Sequence, residues 1–176
     1  MKTKPIASLS VISRAKELND ALKRLQKTQI FVGIATGSKG DKREDGGPDN
    51  HLLGFVHERG SPAANIPARP FLAPGVASGA EKIVPGLERT IKAALRNDEA
   101  AVEASLKKTG RDAVSAVKVY MTTADFVPLS PKYLKQRHRA RLTKGKRANE
   151  LKGKGVRPLI NSGSLLEALD YYLEEH

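Results

Sequence analysis

The chain contains no cysteine and no tryptophan among its 176 residues. Without cysteine there is neither a disulfide framework nor a thiolate zinc site, and the chain suits a reducing compartment. Aromatic residues make up only 5%, so any core is built mainly from aliphatic side chains. No apolar run approaches the ~18 residues that would mark a membrane-spanning helix. The opening MKTKPIASLS has a charged start with no long apolar block behind it, unlike a secretory signal. These absences predict a protein that uses no membrane and works inside a cell. The common catalytic signatures are missing as well: there is no G-x-S-x-G, no P-loop and no G-x-G-x-x-G. His57-Glu58 is half of a metalloprotease signature, but position 61, where the second histidine belongs, is Ser61. His51 and His57 are six apart, which is not a same-face helical spacing. Glu44-Asp45 sits in a glycine-rich stretch, a poor support for preorganised acid–base chemistry. Ser162-Gly163-Ser164 reads as a cap and turn. The expectation is a protein that is not an enzyme, with no cofactor and no metal.

Positive charge is abundant and unevenly placed. The formal net charge is +12. Residues 132–157 hold eleven Lys/Arg against the single acid Glu150, so almost all of the excess lies in one segment. Such a segment points to a polyanion or an acidic protein surface as partner. The candidates are Lys135, Arg137, Arg139, Arg141, Lys144, Lys146, Arg147, Lys152 and Lys154. The first four wrap around a helix rather than forming one stripe, and Tyr133 is the only aromatic among them, which disfavours base stacking. A merely solvated basic loop is the plain alternative.

Periodicity and punctuation divide the chain into elements. Val11, Ala15, Leu18, Leu22 and Leu25 alternate by fours and threes, predicting an amphipathic helix over 10–27 with Ser10 as cap. The run 29-QIFVGIA-35 predicts a short buried strand. Residues 36–50, polar and glycine-rich, predict a flexible loop. A short helix over 51–59 follows, capped by Asp49 or Asn50, with Leu52, Phe55 and Val56 inward and Gly60 ending it. From about 75 to 96 the chain is helical, with Val76, Ala80, Ile83, Val84, Leu87, Ile91, Ala94 and Leu95 inward and a kink or split expected at Pro85-Gly86. A further helix runs from an Asn97 or Asp98 cap to about 122, with Ala101, Val102, Leu106, Ala113, Val117 and Tyr120 as its stripe. Ser130-Pro131 starts a short basic helix, and 143–156 reads as a Gly/Lys loop. Near the end, Ser162 caps a helix with Leu165, Leu166 and Leu169 apolar. Residues 170–175 either extend that helix or form a closing strand. The expected fold is α+β: a single domain over 1–176, with a small antiparallel sheet pairing the two chain ends, several flanking helices, and a long central helix or helical hairpin.

Between these elements lies 57-HERGSPAANIPARPFLAPG-75. With Pro62, Pro67, Pro70 and Pro74 it cannot be a regular helix, yet Phe71-Leu72 make it too apolar for an idle loop. Two placements are open. Arg69, Phe71 and Leu72 either reach into a neighbouring subunit, with proline stiffening lowering the entropy cost, or serve their own chain, with Phe71 and Leu72 in the core and Arg69 on local carbonyls.

The segment also carries a resemblance. His57, Glu58, Gly60, Ser61, Ile66, Pro67, Arg69, Pro70, Phe71, Leu72 and Pro74 resemble the H-E-x-G-S…I-P-x-R-P-F-L-x-P segment of phage tail-completion and neck proteins, a family also described as minor tail components or virion morphogenesis proteins. Pro158, Leu159, Ile160, Ser162, Gly163, Leu165, Ala168, Leu169 and Tyr171 resemble that family's terminal motif, and 128-PLSPKYLKQRHRA-140 resembles the link before it. Position 164 departs from the pattern, with Ser164 where Arg or Gln is usual. The resemblance spans about residues 28–174. It implies a structural virion protein of the head–tail junction (tail completion, tail terminator or neck), assembled in the host cytoplasm as a homo-oligomeric ring of six or twelve copies. Its partners would be neighbouring connector, neck and tail tube proteins, and the basic segment would face either packaged DNA or an acidic neighbour. The competing reading is a stand-alone basic nucleic-acid-binding protein, which accounts for the charge but not for the proline segment or the PLINSG tail.

Overall fold

The structure is a computed structural model that describes residues 9–38, 40–43, 46–143, 157–160 and 162–175. Its elements are α1 (Leu9–Lys27), β1 (Thr28–Gly33), α2 (Asn50–Arg59), a 3-10 turn at Pro62–Ala64, α3 (Leu72–Ser78), α4 (Ala80–Leu95), α5 (Glu99–Thr123), α6 (Pro131–Thr143), α7 (Ser164–Glu167) and β2 (Asp170–Glu175). The fold is α+β, and β1 pairs antiparallel with β2 in a two-stranded sheet. The closing-strand alternative for 170–175 is the one realised. The described residues form two compact units. The first holds residues up to Val32, Val76–Ala116 and those from Asp170. The second holds Gly33–Gly75 and Val117–Leu169.

In the first unit, α4 and α5 form a helical hairpin whose turn has a local cause. Asn97 adopts a left-handed φ of 58°, a conformation asparagine tolerates better than most residues. The amides of Asn97 and Asp98 then reach back to the carbonyls of Ala94 and Ala93 at 3.0 and 3.1 Å, a Schellman closure of α4. The Asp98 carboxylate accepts from the Ala101 amide at 3.0 Å and so caps α5, as its position predicts.

The hairpin is held by small residues. A Cβ on Gly86 would lie 2.3 Å from Thr109 Oγ1, so only glycine permits this approach of the two helices. The Gly86 carbonyl accepts from Thr90 Oγ1 at 3.1 Å and from Ser105 Oγ at 3.0 Å, and Thr109 Oγ1 donates to the Ser105 carbonyl at 2.8 Å. Gly86, Thr90, Ala93 and Ala94 are the buried residues of α4. On α5, Gly110 packs flat under Tyr171 of β2, where a Cβ would fall 2.3 Å from the ring.

Two sequence expectations about this stretch require correction. The helix does not break at Pro85-Gly86; the break falls at Gly79, between α3 and α4. There the chain passes so close to α5 that a Cβ would sit 2.5 Å from the Ala116 methyl. Pro85 is carried inside α4 on its exposed side, where the carbonyl it leaves unpaired can be solvated. Part of the expected apolar stripe also does not face inward: Ala94 is buried, but Val84, Leu87, Ile91 and Leu95 are 40–51% exposed. The small face, not the greasy one, makes the close helix contact. The stripe expected for α5 does face inward, with Leu106, Ala113 and Val117 buried.

Gly86→Ala should therefore lower stability by about 1–3 kcal/mol through overpacking. Adding Thr109→Ala should restore part of the loss, because it removes the atom in the way. Urea denaturation of the two single variants and the double variant would read this coupling.

Candidate functional site

The proline segment lies within the second unit, and nearly every residue singled out in it has an internal task. Gly60 ends α2 with a φ of 77°. A Cβ there would meet the Ala68 amide at 2.8 Å and the Ile66 carbonyl at 3.0 Å, so the position requires glycine on two counts. Ser61 and Ile66 then exchange backbone hydrogen bonds at 2.8 and 2.9 Å, closing a small loop around the 3-10 turn. From Ile66 the chain runs back along the end of α2, and the Arg69 amide donates to the His57 carbonyl at 2.7 Å.

The next two amides meet one carboxylate. Glu58 Oε2 accepts from Phe71 N at 2.7 Å and from Leu72 N at 3.0 Å. It thereby satisfies orphan donors at the start of α3 and places a negative charge at that helix's positive end. Pro74 falls in the first turn of α3, where its missing N–H costs nothing. The Phe71 side chain is completely buried. Its ring edge reaches to 3.9 Å of the site a Cβ would occupy on Gly54, which also accommodates Ile34 Cδ1 and Leu165 Cδ1 at 3.5 and 3.6 Å.

Arg69 is 4% exposed. Its Nε donates to the Val127 carbonyl at 2.7 Å and its Nη2 to the Pro128 carbonyl at 3.1 Å. The guanidinium thus clamps the link that precedes α6, and burial pushes its pKa below the ordinary value. Of the three subunit-interface candidates, Arg69 and Phe71 are consumed inside the chain, which corrects the first of the two placements considered. A side chain already hydrogen-bonded or enclosed by its own unit has nothing to offer a neighbour. Leu72 is half-buried. The helix before the segment differs from expectation too. Leu52 and Phe55 of α2 are 48% and 63% exposed, while Asn50 and Gly54 are buried. The packed line of α2 is Asn50 and Gly54, with Phe71, Ile34 and Leu165 gathered around Gly54 at distances that even a Cβ would find ordinary.

The loop 36–50 holds an organising centre that composition alone does not reveal. Asp41, 1% exposed, accepts from the Gly37 amide at 2.8 Å, the His51 amide at 2.9 Å and His51 Nδ1 at 2.8 Å. It caps the start of α2 from ten residues upstream, whereas the expected caps do not act through their side chains in this way: Asp49 makes no capping bond. Asn50 donates its Nδ2 to the Gly40 carbonyl at 2.7 Å and to the Ser164 carbonyl at 3.4 Å, tying the loop to α7. The amide of His51, helped by that of Gly37 and the imidazole and opposed by burial, holds the Asp41 carboxyl below the usual carboxylate range. Asp41, Asp49 and His51 bring ligand-type atoms within 4.8 Å of one another. Hard oxygens and an imidazole suit a divalent cation, but the Asp41 oxygens are already committed to three donors, and the cluster works as a loop staple.

The basic candidates are partly outside the described residues: Lys144, Lys146, Arg147, Lys152 and Lys154 all fall there. Lys135, Arg137, Arg139 and Arg141 lie on α6, with Lys135 and Arg139 exposed. Arg157, at the far end of the basic segment, donates to the Thr122 carbonyl in the last turn of α5, where a cation complements the helix terminus.

No protein-family model, curated protein or solved structure matches the chain.

Stability measurements on variants of Phe71 and Arg69, and the pH dependence set by His57, give two kinds of test. Phe71→Ala should cost about 3–5 kcal/mol in urea denaturation. Arg69→Ala should cost about 2 kcal/mol by leaving carbonyls unpaired, with poor rescue by Arg69→Lys, which lacks the fork that reaches both. The second kind concerns His57, whose Nδ1 is buried with no partner among the described residues. Burial, reinforced by the Arg69 charge, pushes this histidine from 6.5 down to about 4. The unfolded chain binds the proton more readily, so the contribution is intact above about pH 6.5 and is lost as pH falls through about 4. The loss is roughly 2 kcal/mol after allowance for partial exposure. His57→Leu should flatten that part of the stability–pH curve relative to wild type.

Proposed function

We propose that this protein is a structural subunit of a phage head–tail junction, of the tail-completion, terminator or neck type, which acts by assembling into a ring between tail and capsid connector. The observation that carries this reading is the occurrence, in the same order, of the HERGS…IPARPFLAP segment and the PLINSG…Y tail. Their internal connection supports it. Within the first motif Glu58 holds the Phe71 amide and the Arg69 amide bonds to the His57 carbonyl, and Leu165 of the second motif reaches the same glycine of α2 as Phe71. The resemblance therefore rests on residues that build a fold rather than on isolated letters.

A ring subunit works by burying apolar surface against copies of itself. With Arg69 and Phe71 used internally, the assembly role passes to large apolar side chains that the fold leaves outside. On α4 these are Val84, Leu87, Ile91 and Leu95, and on α2 they are Leu52 and Phe55. The four on α4 recur at spacings of three and four, so they share one face of the helix. Placement in the virion, with connector and tail proteins as neighbours, follows from the same reading.

Negative-stain microscopy and light scattering of the purified chain should show closed rings. Leu87→Asp combined with Ile91→Asp should reduce them to monomers with unchanged helical circular dichroism. A wild-type chain that stays monomeric and only shifts nucleic acid in a gel would favour the stand-alone nucleic-acid-binding reading instead.

A further inference from the structure

The basic segment at 132–157 is the obvious candidate for a polyanion contact, but the first unit contains a second one. Between α4 and α5 is a cleft of about 390 Å³ lined by Arg89, Lys92 and Arg96 from one helix and Lys108 from the other. Ala93, Ala101, Ala104 and Ser105 also line it, so small side chains border the cations. Arg89, Lys92 and Arg96 are spaced by three and four and so form one row along α4. This row lies on a different flank of the helix from Val84, Leu87, Ile91 and Leu95, since Arg89 and Arg96 follow those residues at offsets that rotate them well away.

The charges in the cleft are not all equally free. Lys108 is paired with Asp112 at 2.8 Å, and Lys92 lies 3.9 Å from Glu88. Arg89 and Arg96 have no carboxylate partner among the described residues. The one acid lining the cleft, Asp98, already accepts the Ala101 amide as the cap of α5. Two unpaired guanidiniums, each able to grip a phosphate bidentately, thus flank a lysine that needs only a modest exchange of partners. Seven residues of helix separate the two arginines by about 10 Å, a span over which a nucleic-acid strand presents more than one phosphate. No aromatic side chain lines the cleft, so it offers nothing on which bases would stack.

We propose that the α4–α5 cleft binds the phosphate backbone of nucleic acid, without sequence preference, through Arg89 and Arg96 with Lys92 and Lys108 in support. A row of cations inside a concave site favours a phosphate chain over a flat lipid surface. The proposal stands on the first unit alone and does not depend on the head–tail assignment.

The test is fluorescence anisotropy of the full chain with a labelled oligonucleotide of about 20 nucleotides, single-stranded and duplex, across a salt series. Arg89→Gln with Arg96→Gln should weaken binding about tenfold at low salt and reduce the log–log salt slope by roughly 1–2. Arg89→Lys with Arg96→Lys should retain most of it. Arg14→Gln with Lys23→Gln, an equal loss of charge from exposed positions of α1, should change little. An equal drop in that control would mean that net charge alone matters and would overturn the site. So would an undiminished affinity in the Gln pair, which would place binding entirely in the basic segment. Binding to phosphatidylserine vesicles with none to the oligonucleotides would overturn it in favour of a lipid surface. Ring formation read by microscopy in the same variants keeps the two proposals separate, because the cleft cations and the apolar row are altered independently.

Discussion

The second unit depends on the seating of Phe71 against the backbone of α2. Phe71 gathers with Ile34 and Leu165 at Gly54, and it is held there because the chain on either side of it is fixed. Glu58 holds the amides of Phe71 and Leu72 with a single oxygen, and Arg69 holds the carbonyls of Val127 and Pro128. Each clamp satisfies groups that burial would otherwise leave unpaired, which is where polar contacts matter most. The prolines add stiffness to a path these bonds define. Seen this way, the segment is a buckle that closes its own unit, and its peculiar composition follows from that: acid to cap, glycine to turn, arginine to reach carbonyls, phenylalanine to fill.

The first unit follows a different rule with a related consequence. Its helices α4 and α5 approach through Gly86 against Ser105 and Thr109, so this close contact is made by small side chains. Threonine and serine hydroxyls bond to backbone carbonyls across and along the hairpin, so the seam is both close and polar-satisfied. The large aliphatic residues of α4 are displaced outward and left available. Both units thus use glycine at the packed line of a helix and set bulky apolar residues on another face, on α2 as on α4. A fold that spends its small residues inside and exposes large ones is suited to association, the property that the proposed ring requires.

Charge is distributed along a second axis. The excess in the basic segment is conspicuous in the sequence, yet one of its members, Arg157, caps α5. Arg89 and Arg96, which stand out by nothing in composition, line a cleft without acidic partners. What matters for a polyanion is unpaired charge held in a fixed concave arrangement, and that depends on which lysines and arginines the neighbouring carboxylates neutralise.

The chain's local chemistry determined most element boundaries and the α+β class. Asn97 and Asp98 at the hairpin turn, Gly60 after α2 and Ser130-Pro131 before α6 act within four residues of themselves, so their effect is written in adjacent letters. The pairing of β1 with β2 was legible only as one of two alternatives, since the letters of 170–175 could equally extend the helix before them. Which faces are buried was decided only by tertiary structure. A hydrophobic stripe announces an inward face only when the partner helix is far enough away to admit it. At Gly79 and Gly86 the partner comes too close, and the energetics favour small residues there. The same holds for the caps that reach across sequence: Asp41 serves α2 from ten residues away and Glu58 serves α3 from thirteen. No local pattern marks those partners, because the bonds exist only after the chain has folded back on itself.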